Sequence, residues 1–422
     1  MSGPSKTMFR RGIQPVVEAL FTEEPVIVLQ GPRTVGKSAL LAELAAKFNV
    51  SILDLDDIGT REAVIANPGL FMGGQPPVMV DEYQKAPVLL GAIKNLLTPN
   101  ATPGRFVLTR STRHDALPIL SEALSGRLHL TSLYPLTQGE ITGSAVNILE
   151  QLLNDPRSTI RPQQSTTVRS EYIEKILIGG FPLAIGRQTP ASRSRWIDDY
   201  VKLTLERDAR ELKNVRNVAT LENVLKKLAG QTAQVLNINS VAQKLGYTQD
   251  LVSSHTKLLE DVFLVHRVEA WGKTLTSRAV SHPKIHVTDS AIAARLLRLT
   301  TQKLNQTNPT VMSEFGHLLE SFVVNELIRQ ATWTAGIAGI GHWRVQDGDE
   351  VDLIVEKDDG GIVGIEIKAG SRVPIKEIAP MRNLRKKMGD NFIAGVVFHL
   401  GTTNYTVEDR IHVMPVDRLW VP

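Results

Sequence analysis

An α/β fold class follows from three observations in the 422-residue sequence. Between residues 25 and 135, short apolar runs alternate with helical stretches, the pattern of a parallel sheet with helical crossovers. From 170 to about 230 the pattern is helical. Near the carboxyl end, "EVDLIVE" and "IVGIEIK" flank the turn-rich "KDDGG" and read as a strand hairpin. The units implied are an α/β core at 1–140, a polar linker at 141–168, a helical lid at 169–234, a helix-turn-helix unit with wing strands at 235–275, and a C-terminal α/β domain at 276–422.

Composition narrows the function classes. The chain is 42% hydrophobic and 22% charged, ordinary for a globular protein that builds several cores. A net charge of +4 permits nucleic acid without demanding it. Cysteine is absent, which excludes disulfides, thiolate catalysis and cysteine-ligated zinc. The N-terminal stretch lacks a signal-peptide pattern, and no window approaches about 18 uncharged apolar residues. The expectation is a cytoplasmic protein with no membrane partner.

In the core, "PVIVLQ", "VSILDLD", "PPVMVDE", "RFVLT" and "LHLTSLYPL" are the five expected strands. The first runs into "GPRTVGKS" and a helix. Gly31, Gly36, Lys37 and Ser38 fit the phosphate-loop pattern G-x-x-x-x-G-K-[ST]. The backbone N–H groups of Gly31, Pro32, Arg33, Thr34, Val35, Gly36, Lys37, Ser38 and Ala39 (proline excepted) and the helix N-terminus are placed to surround the phosphates of ATP. Lys37 reaches the β and γ phosphates, and Ser38 ligands Mg²⁺. The third strand ends in Asp81 and Glu82. An acid there holds Mg²⁺ through water, and its neighbour polarises the attacking water. Thr109 ends the fourth strand, where a polar residue faces the ligand crevice of an open sheet. Arg127, after the helix "DALPILSEALSGR", has two readings. It completes a neighbouring protomer's site in trans, or it stabilises its own helix dipole.

These residues resemble the AAA+ branch of ATPases over 25–135. The resemblance implies strands in the AAA order, Thr109 as a sensor, Arg127 at the finger position and a homo-oligomer, ring or dimer. "GGFP" at 179–182 looks like the Gly-x-Pro lid motif of STAND-type ATPases, and Arg207 of "LERDAR" falls where a second sensor arginine is sought. Arg110 departs from the pattern, since similar chains carry glycine after the sensor threonine.

The stretch 238–271 reads as helix, Gly246 turn, helix and wing strands, a winged helix-turn-helix. Ser240 and Gln243 suggest a capping box, and Thr248 caps the second helix. Gln249, Ser253, Ser254 and Lys257 are its exposed positions, able to reach DNA bases or phosphates. Only one of them is cationic, so a protein-contact role stands equally open.

In "VGIEIKAG", Glu366 and Lys368 share one strand face. Centring the hairpin loop on Asp359 pairs Asp352 with Glu366 and leaves Lys368 diagonal. Two adjacent carboxylates repel unless a cation joins them. Glu320, on an upstream helix flank with Val323, Val324 and Leu327, offers a third carboxylate. Glu320, Asp352, Glu366 and Lys368 resemble the PD-(D/E)XK, restriction-endonuclease-like fold. The resemblance implies Mg²⁺ or Mn²⁺ on the three acids, with Lys368 catalytic in phosphodiester hydrolysis. The order of units is similar to a prokaryotic family of AAA-type ATPases with winged-helix and nuclease-like C-terminal parts. "YPLTQGE", "GGFP", "LERDAR", "KIHVTDS" and "GHLLESFVVNEL" look familial. The expected function is an ATP- and Mg²⁺-dependent ATPase acting on DNA. The alternative is a non-nucleolytic nucleotide switch that holds partners. Arg382, Arg385, Lys386 and Lys387 are either a phosphate-contacting patch or a solvated helix face.

Overall fold

Strand β1 (Val26–Gln30) is buried at every position, as a strand covered on both faces must be. It lies in a parallel sheet with β2 (Ile52–Asp54), β3 (Val78–Asp81), β4 (Phe106–Arg110) and β5 (Leu128–Ser132), in the order β2-β3-β4-β1-β5. The computed structural model describes residues 9–113, 124–160, 164–208, 217–272, 282–306, 308–345 and 348–422. The chain leaves β1 into the loop at 31–36 and the helix Lys37–Phe48. Both neighbours of β1 come from later in the sequence. Its carboxyl end is therefore a topological switch point, where open sheets carry their ligand crevice.

Helices Ile238–Leu245 and Gln249–Asp261 flank Gly246, which caps the carboxyl end of the first in a left-handed conformation. Asn237, and not Ser240, caps the first helix; its carboxamide oxygen accepts from Ser240 N–H at 2.9 Å. Thr248 caps the second. Strand β7 (Val265–Val268) pairs with β8 (Lys284–Val287), and β8 pairs with β6 (Gln234–Val235). A boundary at 275 thus cuts through a sheet: the strand completing the wing pair lies in the length assigned to the C-terminal domain. The C-terminal sheet has the order β13-β14-β12-β11-β10-β9, with β9 at Ile337–Arg344, β10 at Glu350–Lys357, β11 at Ile362–Lys368, β12 at Phe392–His399, β13 at Tyr405–Glu408 and β14 at Ile411–Pro415. Leu353 pairs with Ile365 and Val355 with Val363, so the hairpin takes the register centred on Asp359. No described helix is long and apolar enough to cross a membrane.

The long helix Pro309–Ala331 joins these units. Leu318, Leu319, Phe322, Val323, Val324 and Leu327 are buried around it. A helix that is apolar on most sides must be covered on most sides. Its cluster is continuous with Ile27 and Leu29 of the first sheet, Val287 of β8, and Val363 and Ile365 of β11. The expected flexible linker is a further correction. Within 141–168, helix Ile148–Asn154 buries Ile148, Leu149, Leu152 and Leu153 in the same cluster. Polar residues dominate the count there, but four apolar ones at helical spacing decide the packing.

A buried polar node fastens the long helix to the first sheet. Arg329 donates to the carbonyls of Leu136 at 2.8 Å and Thr288 at 3.1 Å, and it lies 3.3 Å from Glu326 and 3.4 Å from Asp289. Asp289 accepts from Gly180 N–H at 2.8 Å, and Leu136 N–H donates to Gly180 at 2.7 Å. A Cβ on Gly179 would stand 2.1 Å from Asp289, and one on Gly180 would stand 2.3 Å from the Leu136 carbonyl. Only glycines let these backbones approach. The "GGFP" glycines therefore meet protein here, whatever their resemblance to a lid motif. Glu326 accepts from Gln138 N–H at 2.9 Å.

Two predictions follow from this packing. Leu149→Ala should destabilise the chain by about 2–5 kcal/mol in urea titration, the range for a buried leucine; a free linker would show no change. Burial raises Glu326 to about 7, with Arg329 opposing. A raised acid stabilises the fold below its unfolded value and loses that contribution as pH rises through its folded value. Glu326→Gln should therefore gain stability relative to the parent, by roughly 3 kcal/mol, between pH 4 and 8. A pH-independent difference would show that folding leaves the Glu326 pKa unchanged.

Candidate functional site

Gly31 takes the chain out of β1 past the Leu133 carbonyl, which a Cβ there would meet at 2.0 Å. The loop then turns through Thr34 at φ +63° and Gly36 at φ +103°. Helix Lys37–Phe48 begins with no side-chain cap, so its first N–H groups stay available to an anion. Lys37 is buried and donates to the carbonyls of Gly31 at 2.9 Å and Pro32 at 2.8 Å. Ser38 and Ala39 are exposed on the first turn, Arg33 is half-buried, and Val35 is buried under the loop. Arg11 braces the loop from beneath. Its guanidinium donates to the Val35 carbonyl at 2.6 Å, the Tyr134 carbonyl at 2.7 Å and Glu140 at 2.8 Å. Glu140 is oriented by a capping box with Thr137.

The ends of β3 and β4 bring Asp81, Glu82 and Thr109 together beside this loop. The Thr109 hydroxyl donates to Asp81 and accepts from Glu82 N–H at 3.0 Å. Glu82 sits at φ +55°, a left-handed conformation uncommon for a glutamate. Its two carboxylate oxygens accept from Ser111 and Gln84. Ser111 and Arg11 carry no distinctive sequence signal, because each acts through a partner brought close by folding; Glu140 has one, the T-x-x-E capping box begun by Thr137.

Arg110 does not open onto the loop. It is 0% exposed and donates to Gln30 at 2.6 Å, its register partner on β1. Burial holds its pKa below the usual arginine value. Arg127 immediately precedes β5, at the amino end of the sheet; the phosphate loop leaves its carboxyl end. A five-residue strand of about 3.3 Å per residue separates the two levels. The helix expected before Arg127 lies mostly outside the described residues. Arg207 is exposed and acts electrostatically with Arg33 on Asp56.

In the C-terminal unit the structure gathers Glu320, Asp352, Glu366 and Lys368, but it places a further group among them. Lys284 of β8 is 1% exposed. Its ammonium lies 2.6 Å from Glu350, 2.7 Å from Glu320 and 2.9 Å from Asp352. Asp352 also accepts from Ile367 N–H of β11 at 2.9 Å. Lys368 donates to Glu366 at 2.7 Å. Where the expectation put a metal ion on Glu320, Asp352 and Glu366, the structure places the Lys284 ammonium between Glu320 and Asp352. No group of three or more acids and histidines able to hold a metal ion occurs among the described residues. Burial would lower Lys284, but Asp352, Glu320 and Glu350 outweigh it and keep the ammonium charged. Burial would raise Asp352, yet Lys284 holds it below the usual carboxylate range. Burial and then Asp352 push Glu320 well up and Glu366 up to about 8. The signal for Lys284 was a lysine inside the apolar strand "KIHV".

Gln249, Ser253, Ser254 and Lys257 are exposed together on helix Gln249–Asp261. The far end of that helix is engaged, with the Asp261 carbonyl accepting from Arg113 N–H at 2.8 Å. In the basic segment, Arg382 and Arg385 pair with Glu408, and Lys387 lies over Trp343.

Comparison with known proteins agrees with this geometry over the first sheet. Residues 169–303 match a domain of unknown function, DUF8612, and 315–419 another, DUF4143. Uncharacterized proteins of Mycobacterium tuberculosis and Mycobacterium bovis are each 25% identical over 399 residues, 94% of this chain and 81% of theirs. A Walker-type ATPase of Pyrococcus abyssi aligns at 15% identity and TM-score 0.40, and the Thermotoga maritima RuvB Holliday junction branch migration motor at 16% and 0.30. Each alignment covers 69% of this chain and 96% of the other. Residues 23–142 match the AAA domain family, the length that holds the parallel sheet and the phosphate loop.

Proposed function

We propose that the chain hydrolyses ATP with Mg²⁺ and uses the nucleotide state to act on a partner, DNA being the class its helix-turn-helix face fits. One observation supports the reading above the others: a single hydroxyl, that of Thr109, bonds the Asp81 carboxylate and the backbone N–H of Glu82 at the crevice beside an uncapped phosphate-loop helix. The donor set suits Mg²⁺: a hydroxyl from Ser38, exposed on the first turn, and a carboxylate from Asp81, at the end of β3. When bound, Mg²⁺ neutralises charge on the β and γ phosphates.

The chain's residues divide the rest of the work. The loop N–H groups and Lys37 hold the phosphates in place. Glu82 takes up proton density from the water whose oxygen bonds to the γ-phosphorus while the bond to the ADP oxygen breaks. Ser111 and Gln84 hold that carboxylate in orientation. Thr109 registers the change through its bonds to both acids. Arg127, at the far end of its own sheet, serves a neighbouring chain's nucleotide in a homo-oligomer. The exposed Gln249, Ser253, Ser254 and Lys257 form the DNA-facing surface. Lys284 favours the switch reading over the nuclease reading for the C-terminal unit.

Phosphate release with Mg·ATP tests the proposal. Lys37→Ala should lose both binding and turnover. Glu82→Gln should bind ATP as the parent does yet turn over at least ~100-fold more slowly. Ser111→Ala should lower kcat about tenfold with KM unchanged. Undiminished turnover in Glu82→Gln would contradict the assignment. Duplex DNA binding, read by fluorescence anisotropy, should weaken with salt and with Lys257→Glu; indifference to both would point to a protein partner.

A further inference from the structure

The C-terminal carboxylates belong to elements far apart in the chain. Glu320 comes from the long helix, Glu350 and Asp352 from β10, and Glu366 from β11. Lys284 reaches them from β8, the central strand of the middle sheet. An ammonium has three N–H donors. Here it has three carboxylates within 2.6–2.9 Å, one for each donor. A hard divalent ion needs oxygen ligands at about 2.0–2.6 Å, and those oxygens converge on Lys284. The stem is packed in the sheet and the side chain is 2% exposed, so the ammonium has no solvent-facing position to retreat to. Glu366 adds a second observation: its Oε2 is buried and has no hydrogen-bond partner among the described residues, while Oε1 accepts from Lys368. The cluster thus holds more acid than its two lysines satisfy.

We infer that Lys284 is the resident cation of this cluster, that it excludes divalent metal, and that removing its charge turns Glu320, Glu350, Asp352 and Glu366 into a site for a hard divalent cation. The parent protein then does not run metal-dependent phosphodiester hydrolysis there, and Lys284 works as an internal tie between the middle and C-terminal sheets. This reading is independent of the nucleotide site and stands or falls without it.

Mn²⁺ is the probe, counted by electron paramagnetic resonance on the full-length chain without nucleotide. Each protein is compared with its Glu366→Gln counterpart, so that ions bound at the phosphate loop cancel. The parent should show no Glu366-dependent Mn²⁺ up to about 1 mM. Lys284→Met should gain one Mn²⁺ per chain, and Lys284→Met with Glu366→Gln should lose it. If Lys284→Met does not fold by circular dichroism, Lys284→Gln is scored in its place. A Glu366-dependent ion in the parent would overturn the inference, because Lys284 would then not exclude metal. A folded, uncharged Lys284 variant that gains no ion would overturn it equally.

Discussion

The structure depends on the buried guanidinium of Arg329. An arginine cannot shed its charge, so burying it requires acceptors on every side. Leu136, Thr288, Asp289 and Glu326 supply them, and they come from three separate lengths of the chain. Removing one acceptor would leave charge uncompensated in a dry interior, which is far more costly than losing an exposed pair. The first sheet, the middle sheet and the long helix are therefore held in one arrangement. Hydrophobic burial gathers them; the Arg329 node sets how they meet.

The same node continues to the phosphate loop. Gln138 N–H donates to Glu326, Glu140 lies in the helix that Gln138 begins, and Arg11 connects Glu140 to the Val35 carbonyl. Each link is buried and hydrogen-bonded. The helix that carries Glu326 and Arg329 also carries Glu320, bound to Lys284. A shift of the phosphate loop thus has a continuous polar route to the C-terminal hairpin. Thr109 adds a second contact between chemistry and scaffold, since its strand leads within a few residues to Arg113 and the end of helix Gln249–Asp261.

Much of this was legible in the sequence, and the reasons differ by element. The phosphate loop was readable because its requirements are local: glycines for the turn, a lysine and a hydroxyl at fixed spacing. The hairpin register followed from alternation and a turn-rich loop centre. The quoted stretches "YPLTQGE", "GGFP", "KIHVTDS" and "GHLLESFVVNEL" stood out without a mechanism, and folding shows why: Leu136, Gly180, Asp289, Glu326 and Arg329 meet at one node. Pairs separated by more than a hundred residues, such as Arg11 with Glu140, leave no local pattern. Lys284 was hidden for another reason. Carboxylates near one another imply a cation but do not say whether the cation is a metal or a side chain. The linker region has a polar composition, but packing responds to the helical spacing of its one isoleucine and three leucines.

Arg11 joins the phosphate loop to the long helix, through Glu140 and the helix that Gln138 begins. Hydrogen–deuterium exchange on the full chain, with and without Mg·ATP, tests it most directly. Nucleotide should slow exchange across Pro309–Ala331, and Arg11→Lys, which lacks the planar fork needed to hold Glu140 and two carbonyls at once, should bind nucleotide but lose this protection. Protection of the long helix that is absent in the parent, or that persists unchanged in Arg11→Lys, would contradict it.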